Sequence, residues 1–189
     1  VIALGVMMLV MMTGLVNTLD ETRRTYYERY RLADVFAPAA RAPSRLLSEL
    51  AELPGVAAVE GRVIGGALIT MNGDGRPIRA QAISLPTDGR PRVNDFYLTG
   101  GREPNGDRSD EILLLKGFAD AHGLKPGDTL AATMNGARRT ITLVGTAQSP
   151  EFIYTSAPAE LVPDDRRYAV NWMSVDALAA ACEMKGPCN

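Results

Sequence analysis

The chain has 189 residues, of which 46% are apolar and 22% charged, a globular composition rather than a disordered one. Twenty basic residues stand against 22 acidic ones, for a net charge of −2, so the basic footprint of a nucleic-acid binder is excluded.

Residues 1 to 19 carry no charged side chain. As a helix rising about 1.5 Å per residue, this stretch would reach about 28 Å, close to the ~30 Å hydrocarbon core of a bilayer. A signal peptide would show a short apolar region and an Ala-x-Ala cleavage site, neither of which is present. A buried core helix of this length is unusual in so small a domain. The spacing therefore predicts a transmembrane helix. Met7, Met8, Met11 and Met12 suit either a pliable helix–helix face or lipid contact, and nothing separates the two.

The helical pattern runs on through Asp20-Glu21-Thr22-Arg23-Arg24-Thr25-Tyr26-Tyr27-Glu28-Arg29-Tyr30-Arg31 to Leu32. Tyr26 and Tyr30 are an i, i+4 pair on one face, and tyrosines suit the headgroup layer. The stretch reads equally as a stalk leaving the bilayer or as a solvated amphipathic helix. Four arginines follow the span, and the positive-inside rule takes them as an argument for a cytoplasmic domain.

Ala33 to Ala37 reads as a short strand. Pro43 opens a helix with an apolar stripe of Leu46, Leu47, Leu50 and Leu53, which Pro54-Gly55 ends. Val59, Val63, Ala67, Ile69 and Met71 lie on one face of a long strand, in which Gly61, Gly65 and Gly66 invite a bulge. Asn72-Gly73-Asp74-Gly75 is a hairpin turn, with Ile78, Ala80 and Ala82 on the returning strand. Residues 86 to 110 read as loop with short extended pieces, followed by a buried strand at Glu111–Leu115. A helix from Phe118 to His122 is closed by Gly123, and a turn forms at Lys125–Asp128. Leu130, Ala132 and Met134 alternate into an Asn135-Gly136 turn, and Thr140 to Val144 return. Asp164-Asp165-Arg166-Arg167 reads as a charged surface turn, and Ser174 caps a last helix running through Leu178 and Cys182. The pattern is α+β.

Cys182 and Cys188 are close enough in sequence for a disulfide outside the cytoplasm, or are an incidental pair. No His or Cys lies nearby to make them a metal site. His122 is the only histidine and sits at a helix end, with no nucleophile placed beside it. Asp107, Asp110 and Glu111 do not have EF-hand spacing; Arg102 and Arg108 can neutralise them, and an Arg102–Glu111 pair is expected to hold the lobe. No Gly-Lys-Thr phosphate loop occurs, so no ATP hydrolysis is assigned to this chain. No catalytic, cofactor-binding or metal-binding residues are assigned, and the binding residues are unassigned.

Five segments stand in order: Leu98-Thr99-Gly100-Gly101-Arg102-Glu103-Pro104, Asp110-Glu111-Ile112-Leu113-Leu114, Phe118-Ala119, Gly123-Leu124-Lys125-Pro126-Gly127-Asp128-Thr129-Leu130 and Thr142-Leu143-Val144-Gly145-Thr146-Ala147. Together they resemble the periplasmic core domain of FtsX-like or MacB-type ABC transporter permeases. The likeness extends over about residues 1 to 182. It implies a transmembrane helix and stalk over 1–33, and a porter-like βαβ lobe from 34–94 and 151–189. A small β-rich lobe, 95–150, would be inserted into that lobe. It also implies an extracytoplasmic domain on the inner membrane, which overrides the arginine count, and further membrane segments after Asn189.

The implied partners are a cytoplasmic ATP-binding subunit, a second permease subunit, a periplasmic adaptor or substrate-delivery protein, and membrane lipid. The implied role is to couple ATP hydrolysis elsewhere to export or release of a substrate, without catalytic residues of its own. Two alternatives belong to other classes. One is an extracellular ligand-sensing domain of a membrane signalling receptor; the other is a membrane-tethered hydrolase, for which no nucleophile constellation is found.

Overall fold

The structure is a computed structural model that describes residues 2–39, 42–43, 45–71, 76–87, 90–153, 155 and 164–182. Helix α1, Ile2–Arg29, is a single uninterrupted helix with no buried residue. It is long and apolar enough to cross a bilayer. Thr13, Thr18 and Thr22 turn their hydroxyls back to the carbonyls of Leu9, Gly14 and Thr18, so these polar groups are satisfied within the helix. Tyr26 and Tyr30 meet edge-on at 5.0 Å, as their spacing predicts.

The rest of the described chain is built around one mixed sheet of seven strands in the order β3-β6-β4-β7-β2-β1-β5. The strands are β1 (Ile64–Thr70), β2 (Pro77–Leu85), β3 (Tyr97–Gly101), β4 (Glu111–Leu115), β5 (Thr129–Met134), β6 (Ala137–Gln148) and β7 (Tyr168–Ser174). Three short helices join them: α2 (Arg45–Ala51), α3 (Lys116–His122) and α4 (Val175–Ala181). The long β6 serves two neighbourhoods. Its first half pairs antiparallel with β5, and its second half pairs parallel with β4 and antiparallel with β3. Because β5 also pairs with β1, the ladder closes through six strands, with β3 appended. Strands from 34–94 and 151–189 thus share one sheet with those from 95–150, through the pairs β1–β5 and β4–β7.

The inner face holds the main core. Ile69, Ile112, Leu114 and Leu143 come from the strands, Phe118 from α3 and Leu178 from α4. The outer face is covered over β2, β4 and β7 by a second cluster in which Phe96 and Trp172 meet at 6.0 Å. Glu111–Leu115 is buried at every position, as its apolar run predicts. Gly123 closes α3 in the left-handed conformation, with φ 66°, and Ser174 accepts a hydrogen bond from the Ala177 N–H at the start of α4.

Two expectations need correction, the strand at Ala33–Ala37 and the long strand from Val59 with its bulge, and two features went unread, the exposure of α2 and strand β7. Ala33–Ala37 is not a strand, because no neighbouring strand supplies a ladder, and Val35 is fully open to solvent. The leucine stripe of α2 is not core: α3 and α4 already fill the inner face, and Leu46, Leu50 and Leu53 stay exposed. The first long strand begins at Ile64 rather than near Val59, and its register with β2 runs unbroken from Ile64 to Thr70, so its glycines make no bulge. Gly65 is needed for close approach instead, since a Cβ there would stand 2.9 Å from the Cys182 sulfur. Finally, β7 is a strand that sequence periodicity did not announce. It is buried on both faces and so shows no alternation. The Asn72–Gly75 turn and Cys188 lie outside the described residues.

Candidate functional site

The end of α1 is built for attachment. Arg31 adopts the left-handed conformation, with φ 51°. Its N–H bonds back to the Glu28 carbonyl, and the Leu32 N–H to that of Tyr27, which is the two-bond pattern that ends a helix sharply. A glycine usually occupies this position, and an arginine there carries a backbone cost of about 1 kcal/mol.

The offsetting contacts come from a loop about sixty residues away. Asn94, also left-handed at φ 54°, donates its N–H to the Arg31 carbonyl at 2.8 Å, and the Asp95 N–H donates to the Tyr30 carbonyl at 2.9 Å. The Asn94 side-chain oxygen accepts the Ala33 N–H at 2.8 Å. The Arg31 guanidinium donates to the Pro91 carbonyl at 2.9 Å and reaches the Asp95 carboxylate at 3.3 Å. Carbonyls that a helix end leaves without intrahelical partners are therefore taken by the domain itself.

This loop is held in turn by the segment before β1 and by the core. Glu60 accepts the N–H groups of Arg92 and Val93 at 2.7 and 2.9 Å. The buried Asp95 accepts the Phe96 N–H at 2.8 Å and lies 3.4 Å from Arg90. Arg90 donates to the Phe96 carbonyl at 2.6 Å and lies over the Phe96 ring. Phe96 is buried against Trp172 in β7, and β3 begins at the next residue, Tyr97, whose ring contacts Tyr30 at 6.5 Å. A continuous chain of hydrogen bonds and packed rings thus runs from the last turn of α1 into the middle of the sheet. A second tie joins Arg62 to Glu151 through a two-pronged, largely buried pair, and Arg62 covers the ring of Phe36 just after the stalk.

The expected Arg102–Glu111 pair is present, with two guanidinium–carboxylate bonds of 2.7 Å each. Glu111 is 2% exposed, and it also accepts the Asn105 N–H at 3.0 Å and faces Arg108 at 3.3 Å. The Arg102 hydrogen bond pulls the Glu111 carboxyl below its ordinary range, against the opposing effect of burial. Asp110 is lowered by its hydrogen bond from Arg108. Asp107 lies in the adjoining turn, outside these pairs. His122 stacks on Phe118 at 4.4 Å, and its Nε2 lies 3.0 Å from the Arg166 carbonyl. Asp165 accepts the Thr155 hydroxyl and abuts Gly117, so the charged turn at 164–167 is fastened to α3. Among the described residues no group of three His, Cys, Asp or Glu is placed to hold a metal.

Sequence reading missed the joint. Arg31, Glu60, Arg90, Asn94 and Asp95 carry it; Arg90, Asn94 and Asp95 lie in the segment read as loop, Glu60 in the stretch read as the start of a long strand, and Arg31 at the end of the stalk. The one local signal was Asn94-Asp95, residue types that tolerate a left-handed turn.

The family model for the MacB-like periplasmic core domain matches residues 1–179. No curated protein matches the chain. Among solved structures, the extracellular domain of the noncanonic ABC-type transporter YknZ from Gram-positive bacteria is 14% identical, with a TM-score of 0.46, over 80% of this chain and 73% of that one. A domain of a protein assigned as a permease from Porphyromonas gingivalis is 12% identical, with a TM-score of 0.41, over 80% of this chain and 65% of that one.

Proposed function

The chain belongs to the family of MacB-like periplasmic core domains, the extracytoplasmic module of ABC transporter permeases, and from that membership we propose that it works as a mechanical transmitter. The family is a transporter module rather than a catalytic one, which favours this reading over a hydrolase or a ligand sensor. The chain sits on the inner membrane beside a second permease subunit, and an ATP-binding subunit on the cytoplasmic side drives it. When nucleotide binding and hydrolysis shift the membrane helices, α1 carries the displacement outward, and the sheet domain moves with it to export or release a substrate.

The observation that carries this reading is the joint. A helix can transmit displacement only if it is stiff and its far end is fixed. Helix α1 is unbroken from Ile2 to Arg29, and its end is bonded through Arg31, Asn94 and Asp95 to a loop anchored by Glu60 and Phe96. A flexible tether would show neither property.

The test uses the full-length permease with its second permease subunit, identical or not, and its ATP-binding subunit in lipid nanodiscs, spin-labelled at Thr140 and at one extracytoplasmic surface site of the second permease subunit. ATP is expected to change the label-to-label distance, and a Gly-Pro insertion after Thr25 is expected to abolish that change while ATP hydrolysis continues. An unaltered distance change in the insertion variant would refute the transmission role.

A further inference from the structure

Strand β1 sits between β2 and β5 with one face in the core and the other open, its residues alternating exposed and buried. On the open face, Leu68 pairs across to Arg79 in β2 and to Thr133 in β5, and Thr133 pairs onward to Arg138 in β6. These four residues form one cross-strand row. With strands about 4.8 Å apart, its two arginines stand about 14 Å from each other with an aliphatic side chain between them. Beside the row, Gly66 is exposed with nothing within 4 Å of where a Cβ would stand, and Ile64 beyond it is 49% exposed. Leu68 itself is 40% exposed.

What distinguishes the two arginines is their place, at the ends of one cross-strand row on the open face. Arg31, Arg62, Arg90, Arg102 and Arg108 are all ion-paired. Among the described residues, neither the Arg79 nor the Arg138 side chain makes an ion pair or hydrogen bond, and both residues are exposed. Two uncompensated cations flanking a smooth apolar strip, on a chain of net charge −2, form a surface complementary to carboxylates flanking an apolar side chain.

We propose that the outer face of β1, between Arg79 and Arg138, is the docking surface for an extracytoplasmic protein partner that presents acidic residues on either side of an aliphatic one. In an extended segment those acidic residues would be four apart, since four residues span about 13 Å. A second copy of this chain fits poorly, because a two-fold contact would bring four unneutralised arginines into one interface. The bilayer fits poorly as well, since residues 20–29 of α1 set the domain about 15 Å beyond the span. The inference rests on the permease reading and adds to it where a partner engages.

The test places a photo-crosslinking amino acid at Leu68 of the full-length permease in its native membrane, with and without Arg79→Glu and Arg138→Glu together. Both sites are exposed, so the double variant keeps the parent melting temperature. The expected result is one protein adduct whose linked peptide carries Asp or Glu on both sides of an aliphatic residue. Its yield should fall about tenfold in the double variant and fall again in about 0.5 M salt. No adduct, an adduct to lipid or to a second copy, or a yield unchanged by charge reversal would overturn the docking surface. The ATP-driven distance change at Thr140 is recorded on the same proteins. If it persists without the adduct, only the docking surface fails; if the parent lacks it, the transmission reading fails.

Discussion

Arg31 shows how a single residue can be unfavourable for the backbone and still favoured by the fold. Its left-handed conformation suits glycine, whereas its guanidinium bonds to Pro91 and Asp95 need an arginine. Arg31→Ala keeps the strain and loses the bonds; Arg31→Gly loses both. The alanine variant is therefore expected to melt lowest, about 1 kcal/mol below the glycine variant, with glycine close to the parent. A thermal melt of the three proteins checks the order.

Glu111 makes a second prediction at this scale. Its folded carboxyl is held below its unfolded value, first by the Arg102 hydrogen bond, so the pair's contribution is fully present above about pH 4.5 and is lost as pH falls through the depressed folded value. Glu111→Gln should cost about 1.5–3 kcal/mol at neutral pH. The gap in melting temperature between parent and variant should be constant from about pH 8 to pH 5 and close below about pH 4. A gap that widened on acidification would contradict the assignment.

Among the elements, β6 is the one on which the architecture turns, because it pairs with three strands. Gly145 lets it do so. A Cβ there would come within 2.5 Å of the Arg102 carbonyl oxygen and 2.8 Å of that of Gly100, both backbone atoms that cannot swing away. Gly145→Ala is expected to cost about 1–3 kcal/mol and lower the melting temperature by roughly 2–4 °C per kcal/mol, without changing the helix content read by circular dichroism. Helix α2 is the opposite case. It buries no residue, so its leucines contribute little to the fold. It formed where Pro43 and the leucine spacing placed it, which shows how far a local pattern determines conformation without determining burial.

For the whole molecule, the division is between an apolar helix that buries nothing and a sheet domain that is closed on itself. Since no residue of α1 is buried, removing residues 2–24 from a fragment of residues 1–189 should leave the domain folded, within a few degrees of that fragment's melting temperature, while abolishing the fragment's membrane association. Sedimentation with and without membranes, followed by a melt of the soluble fragment, measures both. A fragment that failed to fold would mean that α1 supplies core rather than anchorage.

What the amino-acid sequence determined by itself was local. The charge-free run set an apolar helix long enough to cross a bilayer, three-to-four spacing set α2, and the Asn135-Gly136 turn set the β5–β6 hairpin. Gly123 and Ser174 set two caps, and the pairing of Arg102 with Glu111, nine residues apart, was legible as well. Each depends on neighbours within about ten positions, where residue type and spacing carry the information. Only the tertiary structure decided that β5 would also pair with β1 and close the ladder, that β7 would insert between β2 and β4, and that α2 would find no face left to cover. The joint belongs to the same group, since Ala33 meets Asn94 across 61 positions and Arg31 meets Asp95 across 64. Such contacts depend on how distant segments register against one another in a shared core, and no run of neighbouring side chains encodes that register.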